Sequence, residues 1–243
     1  MKNRLILIIF ALAVFSMFGV AQSVVITGKK VTYKRPKPIN EYKKTFTINY
    51  PKVKAATPAL SKKIENTISY AKVLGLKLDE ELRDIQWLEE ADYEVGYNKS
   101  RILCITLSMN GTAAYPSGTS KIVVVDLKTG LRVRPLDVFI NTSGLLAIVK
   151  KAEDKEVADA IIEIKKDPEN GDVDAISLFK ESAEYQKVSL NEFSVDEKGV
   201  TFHHNYDFAH VVQALQPAGE FFFSWVELKP YIKHAGLLTR IAR

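Results

Sequence analysis

Residues 93–130 read YEVGYNKSRILCITLSMNGTAAYPSGTSKIVVVDLKTG. Three stretches within this segment, residues 93–97, 102–109 and 121–127, are rich in the β-branched and aromatic side chains that favour strands. The polar residues 98–100 separate the first two stretches by the length of a tight turn. Because consecutive strands joined by short turns usually pair with one another, the segment predicts a β-meander.

Strand and helix signals also precede the meander. Residues 45–50 alternate polar and apolar side chains and stop at Pro51, which predicts a strand. Thr57 and Pro58 suit the start of a helix, and an apolar stripe at spacings of three and four then runs as far as Gly75. The stripe consists of Leu60, Ile64, Ile68, Ala71 and Leu74. A second, shorter amphipathic segment begins at Asp79, with Leu82, Ile85 and Leu88 on its apolar side.

Further helices and strands are predicted after the meander. They are a helix over residues 142–164, a helix over 173–186, a hairpin of 193–195 with 200–202, and a closing strand over 220–225. Ser224 and Glu227 have the spacing of a capping box, which predicts a short helix that Pro230 limits to a turn or two.

This order of elements indicates the fold class. Strands in neighbouring hairpins, with helices between groups of them, are typical of α+β folds rather than of βαβ winding. We predict antiparallel or mixed sheet meanders with packed helices, in two halves, residues 43–140 and 141–243, that form one compact module. A chain of 243 residues can bury a sufficient core without metals or disulfides, and the single Cys104 cannot close an intramolecular disulfide.

The first residues have the pattern of a targeting segment. Lys2 and Arg4 precede an apolar stretch over residues 5–20, and small residues follow at the positions that a signal peptidase reads. We therefore predict a signal peptide over residues 1–21, cleaved to give a secreted or periplasmic protein. The alternative is a retained membrane anchor, and contact with a membrane is expected only in that case.

A basic segment over residues 22–42 follows the predicted signal peptide. It is rich in lysine and contains Pro36 and Pro38, a composition that favours extended backbone. Two structures remain open for it, a solvated tether and a first edge strand. A further hypothesis is adhesion to anionic wall polymers or lipid headgroups.

Composition and motifs exclude several function classes. Removal of Lys2 and Arg4 would lower the formal charge from +5 to +3, too small an excess to indicate nucleic acid binding. The sequence lacks a dinucleotide-binding glycine motif, a phosphate-binding loop, a zincin motif, a nucleophile elbow and a cysteine pair for zinc. We therefore predict no cofactor, no metal and no catalytic residues.

Residues 201–210, TFHHNYDFAH, contain three of the four histidines. Neighbouring side chains of a strand point to opposite faces, so His203 and His204 are not expected to ligate one metal ion. If the chain bends after Tyr206, His204 and Tyr206 can converge with Asp207 or His210, and an Asp beside a His suits a general base. The alternative interpretation is a set of hydrogen-bonded groups at a surface or in a cleft.

The second candidate site is the loop that contains Tyr115 and Pro116. Small residues 110–114 precede these two, so the loop can present Tyr115 as a rigid contact for a partner. The alternative is a loop that packs on its own domain. We predict ligand contacts by Tyr115, Pro116, His204, Tyr206 and His210.

The order of several short motifs resembles one known family. The motifs are residues 50–51, 59–68, 93–98, 103–108, 114–116, 125–130 and 135–139, then Phe193, Gly199, Phe202, Tyr206, residues 217–219, Trp225, Glu227, Leu228 and Tyr231. In this order, over about residues 43–233, they resemble the extracytoplasmic domain of RsiV-like anti-sigma factors, which bind lysozyme, and the non-catalytic N-terminal module of certain peptidoglycan deacetylases.

The resemblance implies an α+β domain with a binding surface on the Tyr-Pro loop and the sheet. We accordingly predict a non-catalytic binding module of the bacterial cell envelope that recognises a protein or a glycan. The alternatives are a structural envelope protein tethered by its basic N-terminal segment and a wall-polymer hydrolase that uses Asp207 and His210. A lysozyme-like ligand is disfavoured, because lysozyme and this chain both carry positive charge.

Overall fold

A computed structural model describes residues 23–40, 42–171 and 173–242 of the chain. The predicted signal peptide, residues 1–21, lies outside these ranges. Among the described residues, no helix combines the length and the apolar character needed to cross a membrane.

The larger of two sheets has six strands in the order of the sequence. They are β1 (Val25–Lys34), β2 (Thr45–Lys54), β3 (Leu88–Lys99), β4 (Ile102–Thr112), β5 (Pro116–Asp126) and β6 (Leu131–Arg132). All neighbouring strands are antiparallel except β2 and β3, which pair in parallel through Thr47 and Ile48. The sheet is therefore mixed, and the predicted meander forms its β3–β5 part.

The smaller sheet, seven α-helices and four short 3₁₀ helices complete the described part of the chain. The sheet consists of β7 (Phe193–Val195), β8 (Gly199–His203) and β9 (Glu220–Ser224), all antiparallel. The helices are α1 (Pro58–Thr67), α2 (Tyr70–Val73), α3 (Leu78–Arg83), α4 (Pro135–Val138), α5 (Thr142–Lys166), α6 (Ala175–Lys180) and α7 (Trp225–Leu228). The predicted α+β class is confirmed.

Two apolar clusters lie on opposite faces of the six-stranded sheet, because side chains alternate along each strand. Along β4, Leu103 and Ile105 belong to the cluster that includes Ile64 of α1. Ile102 and Cys104 belong to the other cluster, which contains residues of α5 and of the smaller sheet. Strands from the first half of the chain thus supply core to elements of the second half.

The strands of the meander extend beyond their predicted bounds. The turn between β3 and β4 is centred on Ser100 and Arg101, whose φ angles are +53° and +63°, rather than on residues 98–100. Pro116 is the first residue of β5 instead of a loop residue, at a strand position that tolerates a missing N–H. Gly130, in the turn between β5 and β6, has a φ of +69°, which glycine adopts without strain.

The expectation that Pro51 ends a strand was wrong. Strand β2 continues to Lys54, and Pro51 lies opposite Gly28 of β1. Strand β3 pairs only with Thr47 and Ile48 of β2, so beyond Tyr50 one side of β2 has no strand partner among the described residues. Proline is tolerated there because no ladder hydrogen bond is lost on the open side.

The stripe that ends at Gly75 belongs to two helices rather than one. The break falls at Ile68 and Ser69, where Ser69 adopts extended backbone and its hydroxyl donates to Asn66 O. Side chains that bond to nearby carbonyls in this way compete with helix continuation. The next segment is also shorter than predicted, since α3 ends at Arg83 and Leu88 begins β3.

Two predictions near the end of the chain need correction. The helix expected over residues 173–186 is only α6, because the chain then extends to bury Tyr185, whose N–H donates to Glu153 Oε1. The closing strand ends at Ser224, and Trp225 begins α7. The Ser224–Glu227 capping box of α7 is confirmed, with the Ser224 N–H and hydroxyl both donating to Glu227 Oε2.

The basic segment forms an edge strand and a loop. Residues 25–34 are β1, and the chain then turns around Arg35, which is only 1% exposed. The Arg35 guanidinium donates to Leu88 O at 2.6 Å and lies 3.7 Å from Glu81 Oε2. Glu81 in turn accepts the N–H of Leu88 at 2.9 Å, so one buried ion pair joins this loop to α3 and β3.

Candidate functional site

The β4–β5 hairpin presents Tyr115 at its tip. Residues 113–115 connect the two strands, and Tyr115 is 65% exposed. Trp87 braces the hairpin, because its carbonyl accepts the N–H of Thr112 at 3.1 Å and its indole N–H donates to Ser117 Oγ at 3.0 Å. Tyr115 therefore stands in solvent on a supported turn.

The ring of Tyr115 stacks on the ring of His210. The ring centroids lie 5.0 Å apart and the ring planes are inclined by 29°. His210 begins a 3₁₀ helix, His210–Leu215, and the next residue, Val211, is 90% exposed. Two loops that are distant in sequence thus form one exposed surface, which we call the aromatic rim (Tyr115, His210 and Val211).

The segment that carries His210 is anchored to α5 by partly buried polar contacts. The Tyr206 hydroxyl donates to Glu156 Oε2 at 2.8 Å, and the Gly219 N–H donates to the same carboxylate at 3.2 Å. The His204 side chain is 5% exposed, and its Nε2 lies 2.9 Å from Ala183 O and 3.6 Å from Glu153 Oε1. We call Glu153, Glu156, His204 and Tyr206 the anchor cluster.

Gly219 is required where the segment returns to the sheet. Its φ is +62°, and a Cβ at this position would lie 2.1 Å from His204 O. The His204 N–H donates to Gly219 O at 2.8 Å, so the backbone at residue 204 and the backbone at residue 219 lie close together. A side chain at residue 219 would push them apart.

Burial determines the protonation of the anchor cluster. Burial lowers the pKa of His204, and the hydrogen bond to Ala183 and the charge of Glu156 oppose this effect. Since Nε2 faces a carbonyl, the neutral ring carries its proton on Nε2 and leaves Nδ1 as acceptor. Burial also raises the pKa of Glu153, against the opposing Tyr185 N–H, and raises the pKa of Tyr206.

A groove of about 820 Å³ lies between β5 and the smaller sheet. Ser120, Lys121 and Ile122 of β5 form one wall, and residues 203–205 contribute to the other. A strand rises about 3.3 Å per residue, so Ser120 is about 16 Å along β5 from Tyr115. The volume falls in the range of ligand-binding clefts.

Paired charges lie along the β5 side of the groove. Lys121 Nζ lies 3.4 Å and Arg132 Nη2 lies 3.6 Å from the same Glu192 carboxylate. Arg134, with a side chain 75% exposed, also lines the groove. Arg134 is itself paired with Asp137, and Glu184, Glu192 and Glu220 also line the groove, so its acidic and basic side chains are balanced in number.

The predicted site residues fall into two groups. Tyr115 and His210 meet in the aromatic rim, and Pro116 continues from the rim into β5. His204 and Tyr206 also meet, with ring centroids 4.6 Å apart, but both side chains lie inside the anchor cluster. His204 and Tyr206 are therefore buried beneath the exposed surface, where they hold the segment in position and do not contact solvent as ligand-binding side chains would.

The groups proposed for chemistry do not pair with each other. Asp207 has a φ of +56°, and no hydrogen bond or ion pair joins it to His210 in the part of the chain that the structure describes. Within the described ranges, no group of three or more His, Cys, Asp or Glu side chains has the arrangement of a metal site.

The sequence reasoning missed the carboxylates of the anchor cluster. Glu153 is 7% exposed and follows Leu145 and Val149 at spacings of four along α5. A glutamate in line with an apolar stripe is the signal that could have identified it. The cations Arg132 and Arg134 were also missed, because their common groove forms only when β6 meets the smaller sheet.

Comparison with known proteins supports the fold. No protein-family model matches the sequence, and no curated protein sequence is significantly similar to it. The structure resembles that of a DUF3298-family protein from Bacteroides fragilis, with 14% identity, a TM-score of 0.54, and coverage of 90% of this chain and 96% of that one. A DUF3298-family protein from Pseudomonas aeruginosa PAO1 gives 13% identity, a TM-score of 0.56, and coverage of 89% and 97%.

Proposed function

We propose that the chain is a non-catalytic binding module of the bacterial cell envelope, and that the aromatic rim contacts its ligand. The observation that carries this proposal is the stacking of Tyr115 on His210, with both residues exposed. Aromatic side chains held rigidly at a surface bring large contact area at low entropic cost, which favours binding. The apolar Val211, next to His210 in the chain, is also exposed.

The groove beside the rim supports recognition of a ligand larger than one side chain. Strand β5 begins directly after Tyr115 and lines the groove from Ser120 onward, so a single extended ligand can contact both the aromatic rim and the groove. The ligand classes in the proposal are an envelope protein and a cell-wall glycan. The likeness to DUF3298-family structures supports the fold on which this surface is built, and the finer RsiV-like relationship remains our proposal.

The alternatives have weaker support. A hydrolase would require Asp207 to orient His210, and the two are not hydrogen-bonded to each other. In the structural alternative the basic segment holds the protein to anionic polymer, and Lys29 and Lys30 of β1 are exposed for such contacts. A lysozyme-like ligand remains disfavoured by the like charges.

Capture from the native envelope fraction tests the proposal. Residues 22–243 are immobilised, the fraction is applied, and the column is washed at low and then at high salt. We expect a discrete ligand that survives high salt and is lost with Tyr115→Ala. Retention of anionic polymer alone, released by salt and unaffected by Tyr115→Ala, would favour the structural alternative, because exposed charge contacts are screened.

A further inference from the structure

The two chain segments that meet in the aromatic rim carry no Asp, Glu, Lys or Arg. These segments are residues 102–120, which form β4 and the first half of β5, and residues 208–219, which include His210. Charged residues make up 26% of the whole chain, so two uncharged segments at one surface indicate a ligand that is recognised without charge pairing. The charged residues that bound the two segments are Arg101, Lys121, Asp207 and Glu220.

A row of small polar residues extends from the rim along β4 and β5. Val124 of β5 belongs to the apolar cluster that contains residues of α5 and of the smaller sheet. Side chains alternate along a strand, so Gly118 and Ser120 lie on that same face, opposite Asn110 and Ser108 of β4. We call Ser108, Asn110, Gly118 and Ser120 the polar shelf. Ser108 is partly exposed and the other three residues are exposed.

The polar shelf has room for a ligand above Gly118. A Cβ at this position would lie 2.5 Å from Asn110 Oδ1, so the Asn110 amide lies across the space that a side chain would fill. The amide of an exposed asparagine both donates and accepts hydrogen bonds, and a serine hydroxyl does the same. The shelf therefore offers uncharged donors and acceptors beside an open surface.

The carboxylates beside the polar shelf already have partners in the sheet. Glu90 and Asp92 of β3 lie next to the shelf across the sheet. Glu90 Oε1 lies 3.5 Å from Lys30 Nζ, and Asp92 Oδ1 accepts a hydrogen bond from Asn49 Nδ2 at 2.9 Å. The shelf itself thus contacts a ligand through hydroxyl and amide groups.

Tyr115 provides an aromatic face at the end of the polar shelf. His210 stacks on one face of the ring, and the Tyr115 side chain is still 65% exposed, which leaves the other face to solvent. The face of an aromatic ring has a negative electrostatic potential, and the C–H groups on one face of a pyranose ring are weakly positive. A sugar ring therefore fits this exposed face.

We propose that the ligand of the aromatic rim is an uncharged polysaccharide segment, which stacks one sugar ring on Tyr115 and lays the next sugars along the polar shelf. Sugar hydroxyl and acetamido groups donate and accept hydrogen bonds, as the shelf side chains do. A protein partner would be expected to use complementary charges for steering and register, and residues 102–120 and 208–219 supply none. The inference rests on the proposed function, since it chooses the glycan over the envelope protein as the ligand.

Three uncharged tetrasaccharides, of N-acetylglucosamine, glucose and mannose, serve as probes. Each is titrated into residues 22–243 labelled with ¹⁵N, and the amide chemical shifts are followed. We expect at least one tetrasaccharide to shift the amides of Tyr115, Gly118 and Ser120, with a Kd below about 5 mM. Absence of a shift at these three amides at about 10 mM of every tetrasaccharide would overturn the inference.

Asn110→Ala tests the polar shelf in the protein, and Thr119→Ala is its matched control. Thr119 is also exposed and lies in the same hairpin, but on the opposite face of β5 from Gly118 and Ser120. We expect affinity for the bound tetrasaccharide to fall about fivefold or more with Asn110→Ala, the effect of one lost hydrogen bond, and to change less than about twofold with Thr119→Ala. Equal affinities of the two variants would overturn the shelf as the glycan site, and if Asn110→Ala fails to fold, the shifts in the wild-type protein decide.

Protease treatment of the envelope fraction separates this inference from the proposed function. A captured ligand that survives digestion by a broad-specificity protease and is lost with Tyr115→Ala would support both. A ligand that digestion destroys and that is lost with Tyr115→Ala would support the binding module and overturn the glycan inference. A ligand that Tyr115→Ala retains in full would contradict the proposed function, and the inference with it.

Discussion

The Tyr206 hydroxyl donates a 2.8 Å hydrogen bond to the Glu156 carboxylate, which also accepts the N–H of Gly219. One carboxylate of α5 therefore fixes both ends of the segment that carries His210. The aromatic rim lies on this segment and on the β4–β5 hairpin. Its geometry consequently depends on a partly buried contact between the segment and α5.

Tyr206→Phe tests this dependence. The variant keeps the ring packing against Phe179 and Phe208 but loses the hydrogen bond to Glu156. We expect the free energy of unfolding to fall by about 1–2 kcal/mol, because Glu156 remains bonded to Gly219. Urea denaturation measures the change, and the exposed control Tyr115→Phe should change stability by less than about 0.5 kcal/mol. Equal stability of Tyr206→Phe and wild type would contradict the anchoring role.

Arg35→Met tests the buried ion pair of the basic segment. Removal of the guanidinium leaves Glu81 uncompensated and the Leu88 carbonyl without its donor, so we expect a loss of about 3–5 kcal/mol. The neighbouring Lys34 is exposed, and Lys34→Met is the matched control with an expected change near zero. Similar stabilities of the two variants would show that Arg35 does not hold this loop.

Stability should depend on pH through His204. Burial lowers its pKa below the ordinary value of 6.5, so the unfolded state binds the proton more tightly. The free energy of unfolding therefore falls as the pH drops through about 6.5 and levels off below the folded-state pKa. Burial of His203 acts in the same direction. The raised pKa of Glu153 has the opposite effect, since its contribution is present below about 4.5 and is lost as the pH rises through the folded-state value.

His204→Gln isolates the histidine contribution. We expect the variant to show a shallower decrease in stability than the wild type between pH 7.5 and 5.5, measured by urea denaturation at several pH values. The exposed His210→Gln variant is the control and should keep the wild-type slope. Parallel curves for wild type and His204→Gln would show that the proton on His204 is not linked to folding.

Local signals predicted most of the secondary structure and failed where long-range contacts determine the backbone. The hairpin of β7 and β8 and the capping box of α7 follow from turn and cap residues. Pro51 was misjudged because its tolerance depends on the absence of a strand on one side. The helix after residue 173 was predicted too long because burial of Tyr185 requires an extended chain.

The candidate site was predictable only in part for the same reason. Tyr115 and His210 were recognised separately from their loop and cluster contexts, but their contact is a tertiary property. His204 and Tyr206 are buried against Glu153 and Glu156, which belong to a helix about 50 residues earlier in the chain. Sequence spacing carries no information about such contacts, because the helix and the loop meet only in the folded chain.

The central claim is that Tyr115 and His210 form one ligand-binding surface, and a double-mutant cycle tests it most directly. The ligand captured from the envelope fraction is titrated by calorimetry into wild type, Tyr115→Ala, His210→Ala and the double variant. We expect each single variant to weaken binding about tenfold or more and the double variant to weaken it by less than the product, since the two rings act together. Unchanged affinity of Tyr115→Ala in a protein of wild-type stability would contradict the account.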